Sequence, residues 1–283
     1  MRRTARLALG IMTAGLIAAG GAGIFVYSGA YDISATDQHT PPVYWAMQFM
    51  MRRAVAVRAD ESETPAGLAQ AEVVRRGFAL YHRNCVQCHG GPGFSPEPAA
   101  LGMMPVPAYL VPVGREWTAA QIHWVVKNGI KMTAMPAWKH RMSEDDMWEV
   151  AAFVKHGLQY LSQAQYREAA ANLPAPAARA RPSGVEGGVG NAAAGRRAID
   201  QYACATCHVI PGITGATRQV GPPLRGMASR SYIAGVLANT PRNMVRWLMS
   251  PQQVSPGSAM PDLGLREQDA LDIAAYLATL HGD

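Results

Sequence analysis

Cys85-Val86-Gln87-Cys88-His89 and, from position 85 to position 204, 119 residues further on, Cys204-Ala205-Thr206-Cys207-His208 contain every cysteine of this 283-residue chain. Each stretch places two thiols directly before an imidazole. Cys-x-x-Cys-His is the attachment signature for c-type haem, in which both thiols add to vinyl groups as thioethers and the adjacent histidine ligates the iron. Zinc could use two Cys-x-x-Cys pairs, but their wide separation gives no compact tetrahedral site. A dithiol redox pair would want a βαβ setting, and none is visible. Four cysteines are also too few for a disulfide scaffold. The expected cofactors are two covalently attached haem c groups, bound by Cys85, Cys88 and His89 and by Cys204, Cys207 and His208.

Working outward, the same order of elements surrounds both motifs. The first has a helix over Ala69–Arg83, a long Pro/Gly loop after CVQCH, a second helix, a Met-Pro pair and a final helix. The second has Ala192–Tyr202, another Pro/Gly loop after CATCH, a helix over Thr240–Ser250, Met-Pro and a final helix. Thr118 with Gln121 reads as a capping box, Gly129 as its stop, and Thr240-Pro241 as an N-cap with proline at the first helical position. Acids Glu144, Asp145 and Asp146 follow Ser143, where the first turn of a helix favours them. No strand alternation of useful length occurs, so the class is all-α, built from one repeated helical unit.

The sixth iron ligand decides what such a haem does. Both repeats offer a methionine before proline, Met135-Pro136 and Met260-Pro261. A thioether favours ferrous iron and raises the reduction potential, which suits an electron carrier. The expected metal ligands are therefore His89 with Met135 and His208 with Met260. Met103, Met104, Met132, Met142, Met227, Met244 and Met249 compete, and a methionine is ordinarily core filler. The matching position before both last helices selects the Met-Pro pair. His123, His140 and His156 in the first module and His281 in the second are the histidine rivals. Trp138 is placed either to donate its indole N–H to a haem propionate or to pack in the core.

With these motifs on the page, both modules resemble class I c-type cytochromes, over about 190 of the 283 residues. Gly221-Pro222-Pro223-Leu224 is similar to the family's loop whose proline carbonyl accepts the ligand histidine's N–H, a bond that fixes the ring. Module one lacks this loop, and Pro105 or Pro107 is the expected carbonyl for His89. Gly77, Phe78 and Tyr81, and Gly195 and Tyr202, match the family's first helix. The resemblance implies that this helix packs across a final helix carrying Trp148 and Phe153 in module one and Tyr276 in module two. The anchor and twin modules also resemble the dihaem subunit of cbb-type oxidases, without that subunit's tryptophan-rich, WLYGG-like segment.

The flanks set the location. Leu7–Tyr27 runs without a charge, long enough for a hydrocarbon core of about 30 Å. Arg2, Arg3 and Arg6 precede it, so the positive-inside rule sends the remainder across. An uncleaved anchor over residues 1–30 is preferred to a signal peptide cut near Ser28-Gly29-Ala30, because the apolar run exceeds a usual h-region. Residues 31–65 form a juxtamembrane amphipathic segment. Within it Val43–Arg58 reads as a helix with Val43, Met47, Met50 and Val57 on an apolar face. Its Tyr44, Trp45, Arg52, Arg53 and Arg58 suit a lipid headgroup zone, and packing on the first domain is the equal alternative. Cytochrome domains are expected at 66–167 and 192–283, joined by an Ala/Pro/Gly-rich linker at 168–191 read as a mobile tether.

Net charge is +6, and three of those charges lie in the first six residues. What remains is too diffuse to track phosphates, so nucleic acid is excluded as the main partner. The expected function is a single-pass, membrane-anchored dihaem cytochrome, its haem domains facing the periplasm of a bacterial cytoplasmic membrane. It would pass single electrons between a donor and an acceptor, such as a dehydrogenase, a quinol-oxidising complex or a terminal oxidase. It is not an enzyme on this reading. The alternatives are a fixed subunit of a dehydrogenase or terminal oxidase and, more remotely, a dihaem peroxidase, which needs an iron with an open position. Lys127, Lys131, Lys139 and Arg141 surround Met135 without an acid between Trp117 and Ser143. That run is expected either to steer an acidic partner to the first haem edge or to be solvated surface. Arg218, Arg225 and Arg230 are the second candidate dock.

Overall fold

The glycines of the first helix in each module decide how tightly that helix can approach the last. In the computed structural model, which describes residues 2–174 and 188–282, α3 (Ala71–Asn84) crosses α5 (Glu144–His156). In module two α7 (Ala192–Gln201) crosses α9 (Glu267–Leu277) in the same manner. At both crossings a glycine lies against the backbone of the facing helix. A Cβ on Gly77 would stand 1.9 Å from the Glu149 carbonyl oxygen, and one on Gly195 would stand 1.9 Å from that of Asp272. Between them lie α4 (Ala119–Asn128) in module one and α8 (Pro241–Met249) in module two. The repeat and the all-α class are therefore both present. The described residues add one short ribbon, β1 (Tyr232–Ile233) antiparallel to β2 (Leu237–Ala238), too brief to leave an alternating pattern in sequence.

The predicted helix ends are built as the side chains dictate. Thr118 and Ser143 close full capping boxes with Gln121 and Asp146, and Thr240 accepts from the Asn243 N–H. Each cap satisfies amides that no intrahelical carbonyl can reach. Gly129 ends α4 at φ +66°, and its missing Cβ lets the methionine loop return: a Cβ there would meet the Met135 carbonyl at 2.6 Å.

Each module has its own core. In module one Phe78 packs edge-on to Phe153 at 5.4 Å and to Tyr166 at 5.1 Å, and Tyr81 joins them. Tyr166 comes from α6 (Gln163–Ala171), an extra helix with no counterpart in module two. This corrects the expected linker at its N-terminal end, because residues 168–171 finish a helix capped by Ser162. At the other end Gly190 fits against α9 and Asn191 caps α7. The centre of the stretch read as a tether, residues 175–187, lies outside the described residues.

The two modules meet through a polar contact that the tether reading did not anticipate. The Tyr202 hydroxyl is 2.9 Å from the His140 carbonyl oxygen and 2.8 Å from Asp269 Oδ2, while His140 Nδ1 lies 3.2 Å from Asp269 Oδ1. Arg141 donates to the Gln201 carbonyl and covers the Tyr202 ring; Arg266 donates to the carbonyls of Lys139 and Met142. Tyr202, His140 and Asp269 are all buried. Burial alone would raise the Asp269 carboxyl, but hydrogen bonds from His140 and Tyr202, with Arg266 nearby, hold it below the usual carboxylate range. Such a group adds stability that is present above its unfolded value, about 4, and is lost as pH falls through the lower folded value. Asp269→Ala is expected to cost about 1–3 kcal/mol by stranding two buried partners. Thermal melts should show that deficit at pH 7, narrowing as wild type approaches pH 3; a constant deficit across this range would remove the charge from the explanation.

α1 (Arg2–Ser28) leaves its apolar side chains exposed throughout and is long and apolar enough to cross a membrane by length and composition. α2 (Pro41–Arg58) packs on module one, with Val55 buried and Arg52 bound to Glu116 at 3.0 Å and lying over Trp117. The packed stripe is Val43, Met47, Met51, Ala54 and Val55. Of the expected face, Val43 and Met47 pack inward, while Met50 and Val57 are largely exposed, because the packed row continues through Met51 and Val55.

Candidate functional site

α3 delivers its chain directly into the first motif, whose residues Val86–His89 form one helical turn. Cys85, Cys88 and His89 line a cavity of about 820 Å³, together with Leu110, Val126, Met135, Trp138, Val150 and Val154. The wall beside His89 is the loop Pro105–Ala108; the opposite approach is the methionine loop after α4. His89 Nδ1 donates to the Ala108 carbonyl at 2.7 Å. The expected acceptor, Pro105 or Pro107, is therefore corrected to Ala108. Pro107 stiffens the backbone before it, and the next residue presents the oxygen. Burial pushes the His89 imidazole below its ordinary value, partly offset by that hydrogen bond, so the ring is neutral at pH 7 with Nε2 able to ligate.

Module two repeats the arrangement with its own loop. The Gly221 N–H donates to the Cys207 carbonyl at 2.8 Å, drawing 221–224 across the motif. His208 Nδ1 then donates to the Pro222 carbonyl at 2.7 Å, the bond expected from the Gly-Pro-Pro-Leu match. A Cβ on Gly221 would lie 2.3 Å from His208 Cε1, so only glycine lets the loop lie flat on the ring. Burial raises the Cys85 thiol to about 12 and that of Cys204 to about 11.

The methionine loops share a brace that sequence reasoning overlooked. The Met135 amide donates to Thr133 Oγ1 at 3.1 Å, and the Met260 amide donates to Ser258 Oγ at 3.2 Å. The signal was present, since Thr133-Ala134-Met135-Pro136 and Ser258-Ala259-Met260-Pro261 differ only by the methyl group that separates threonine from serine. Both methionines are half-buried against their module's core. Gln252 further holds the Met260 and Ser258 carbonyls.

Most of the rivals are committed elsewhere. Met142, Met227 and Met244 are buried core, and Met132, on the cavity's rim, is 77% exposed. His123 stacks on Trp148 at 3.8 Å and faces Glu144, away from the cavity; burial pushes it down to about 4. His140 lies in the contact with module two, and His156 is exposed. One histidine that the sequence reading did not weigh, His39, does line the cavity, as do Met47, Met50 and Met51 of α2. Trp138 lines it as well. A pair of thiols, a neutral imidazole and a thioether around apolar walls is a donor set that fits haem c.

Comparison with known proteins agrees with this geometry. A family model described as cytochrome c oxidase, cbb3-type, subunit III matches residues 72–154, and one described as cytochrome c matches residues 192–281. Both modules are class I c-type cytochrome domains. The chain is thus a tandem of cytochrome domains behind an apolar N-terminal helix, with electron transfer as the activity these domains carry. Cytochrome c oxidase subunit 2 of Bacillus sp. (strain PS3) is 31% identical over 87 residues, which cover 29% of this chain and 24% of that protein. No solved structure matches the chain.

The two cytochrome domains differ at their surfaces. The basic run expected around Met135 is divided: Lys127 is paired with Glu144 at 2.8 Å, and Arg141 is committed to module two. Lys131 alone of the four remains on the open rim of the first cavity.

Proposed function

We propose that the chain is a membrane-anchored dihaem cytochrome c that relays single electrons between redox partners on the periplasmic side of a bacterial cytoplasmic membrane. The observation that carries this reading is the duplicated set: Cys-x-x-Cys-His, a carbonyl on the histidine Nδ1, and a hydroxyl-braced Met-Pro loop in each module. Each haem, when bound, supplies a reversible one-electron iron couple. Cys85 and Cys88, and Cys204 and Cys207, hold the rings. The Ala108 and Pro222 carbonyls hold Nδ1 of His89 and His208, which leaves each Nε2 able to hold an iron. Met135 and Met260 would hold each iron through a thioether, which argues against a peroxide-binding role. The polar contact between the modules supports a relay within one body, in which an electron passes from one module to the other while their spacing is held.

Attachment as a fixed subunit of a terminal oxidase is the second reading. It is favoured by the family matched over module one and by the Bacillus protein, both of which are cytochrome c oxidase subunits. Purification in mild detergent separates the two: co-migration with an oxidase supports the subunit, and a monodisperse cytochrome supports the independent carrier. In either case intact mass is expected to exceed that of the chain by two haems, with stainable haem surviving denaturing electrophoresis. A gain of one haem would overturn the dihaem reading.

A further inference from the structure

One face of α2 is explained by the fold and the other is not. Val43, Met47, Met51, Ala54 and Val55 turn toward module one, and several of these close the first haem cavity from above. On the far side Trp45 is 67% exposed, Phe49 56% and Val57 68%. Trp45 and Phe49 stack on each other at 5.5 Å rather than on the protein. Arg53 and Arg58 are exposed beside them, and no acidic residue occurs from Pro41 to Arg58. Asp60, Glu61 and Glu63 follow only after the helix ends.

We propose that this outer face of α2 lies in the lipid headgroup layer, so that α2 seats the first cytochrome domain on the membrane surface. The inference rests on α1 being a membrane anchor. Continuity supplies the occupant: α1 ends at Ser28 and α2 begins at Pro41. Even fully extended, residues 29–40 reach only about 40 Å. That tether keeps α2 near the bilayer surface. A stacked tryptophan and phenylalanine suit the wet apolar boundary, and arginines flanking them meet phosphates. Because the inner face of the same helix closes the cavity of Cys85, Cys88 and His89, the first haem is held against the membrane. The second cytochrome domain, joined to the first where Tyr202 and Asp269 meet His140, then stands toward the aqueous phase. The two haems would therefore serve different partners, a membrane-embedded one and a water-exposed one.

The test uses the full-length holoprotein in liposomes containing anionic phospholipid. With the native cysteines consumed in thioethers, a cysteine introduced at one position takes a single nitroxide label. Three variants are compared by power saturation with oxygen and with a water-soluble nickel chelate: Phe49→Cys, Gly15→Cys within α1, and Tyr232→Cys on the surface of module two. Gly15 has no neighbour within 4 Å to disturb, and Tyr232 is 64% exposed. The expected oxygen-to-nickel accessibility ratio is several-fold higher at 49 than at 232 and approaches that at 15. If 15 reports lipid and 49 reports water, the seating fails while the anchor stands. If 49 is shielded from both reagents, a second copy or a protein partner covers the face and the proposal is overturned. If 15 itself behaves like 232, the anchor reading fails and takes the seating with it.

Discussion

Met260→Ala is expected to lower the midpoint potential of one haem by on the order of 0.2 V or more, within the roughly 0.8 V that axial ligands span. A thioether is a soft donor that stabilises ferrous iron relative to ferric. Its loss leaves water or a hard donor in its place, which favours the ferric state. Potentiometric titration should resolve the shifted component and leave the other haem in place, and the ferric thioether–iron absorption should fall by half. Met135→Ala should do the same for the first haem. The cavity of module one also contains Met47 and Met51, so Met47→Leu and Met51→Leu are the decisive comparisons. They should leave both potentials where they were. An unchanged titration for Met135→Ala together with a large drop for either leucine variant would move the ligand from the Met-Pro loop to α2. Thr133→Ala and Ser258→Ala remove the acceptor of the methionine amide, and at 133 also a bond to the Ile130 carbonyl, so they should shift the matching potential by less and in the same direction.

The residues that form covalent or coordinate bonds were legible because their chemistry demands fixed identities at fixed spacing. Cys-x-x-Cys-His, the two Met-Pro pairs and the capping boxes at Thr118 and Ser143 depend on contacts a few residues apart. The helix-crossing glycines were legible through resemblance, and the structure supplies the reason, a carbonyl of the facing helix where a side chain would be. What the sequence concealed is carried by long-range contacts. Nothing near position 108 marks its carbonyl as the acceptor for His89, since any residue offers a carbonyl and only loop geometry selects one. Tyr202 reads as a core aromatic, and its hydroxyl, beside Asp269 of its own module, reaches the His140 carbonyl only because module two turns that corner toward module one. The apolar face of α2 was read as Val43, Met47, Met50 and Val57, one of several faces a short helix of mixed polarity can offer. The partner surface, not the helix, chose 43–47–51. Charge was misleading in a similar way, because Lys127 and Arg141 sit in an acid-free run yet meet Glu144 and Tyr202 across space.

Gly77→Ala and Gly195→Ala are expected to destabilise their modules by about 3 kcal/mol, against an intrinsic helix preference that alone would favour alanine by about 1 kcal/mol. The sign is set by what the new methyl meets. At position 77 it would lie 1.9 Å from the Glu149 oxygen, 2.7 Å from that residue's carbonyl carbon and 2.9 Å from Phe153 Cβ. At position 195 it would lie 1.9 Å from the Asp272 oxygen and 2.4 Å from its carbonyl carbon. A flexible side chain could swing aside, but a carbonyl inside a helix is held by that helix's own hydrogen bonds. The whole of α5 or α9 must therefore retreat, opening gaps around Phe78, Phe153 and Tyr81 in module one or Ile199 and Ile273 in module two. For domains of this size about 3 kcal/mol corresponds to a fall in melting temperature of roughly 12–24 °C. Calorimetry of the holoprotein should show it for the mutated module. Gly102→Ala is the matched control: its Cβ would find nothing nearer than the Ala99 oxygen at 3.7 Å. It should stay within about 0.5 kcal/mol of wild type. Wild-type melting in Gly77→Ala would mean that α3 and α5 do not cross at that glycine. Loss of stability at 77 and 195 alike, with position 102 unaffected, is what one helical unit used twice requires.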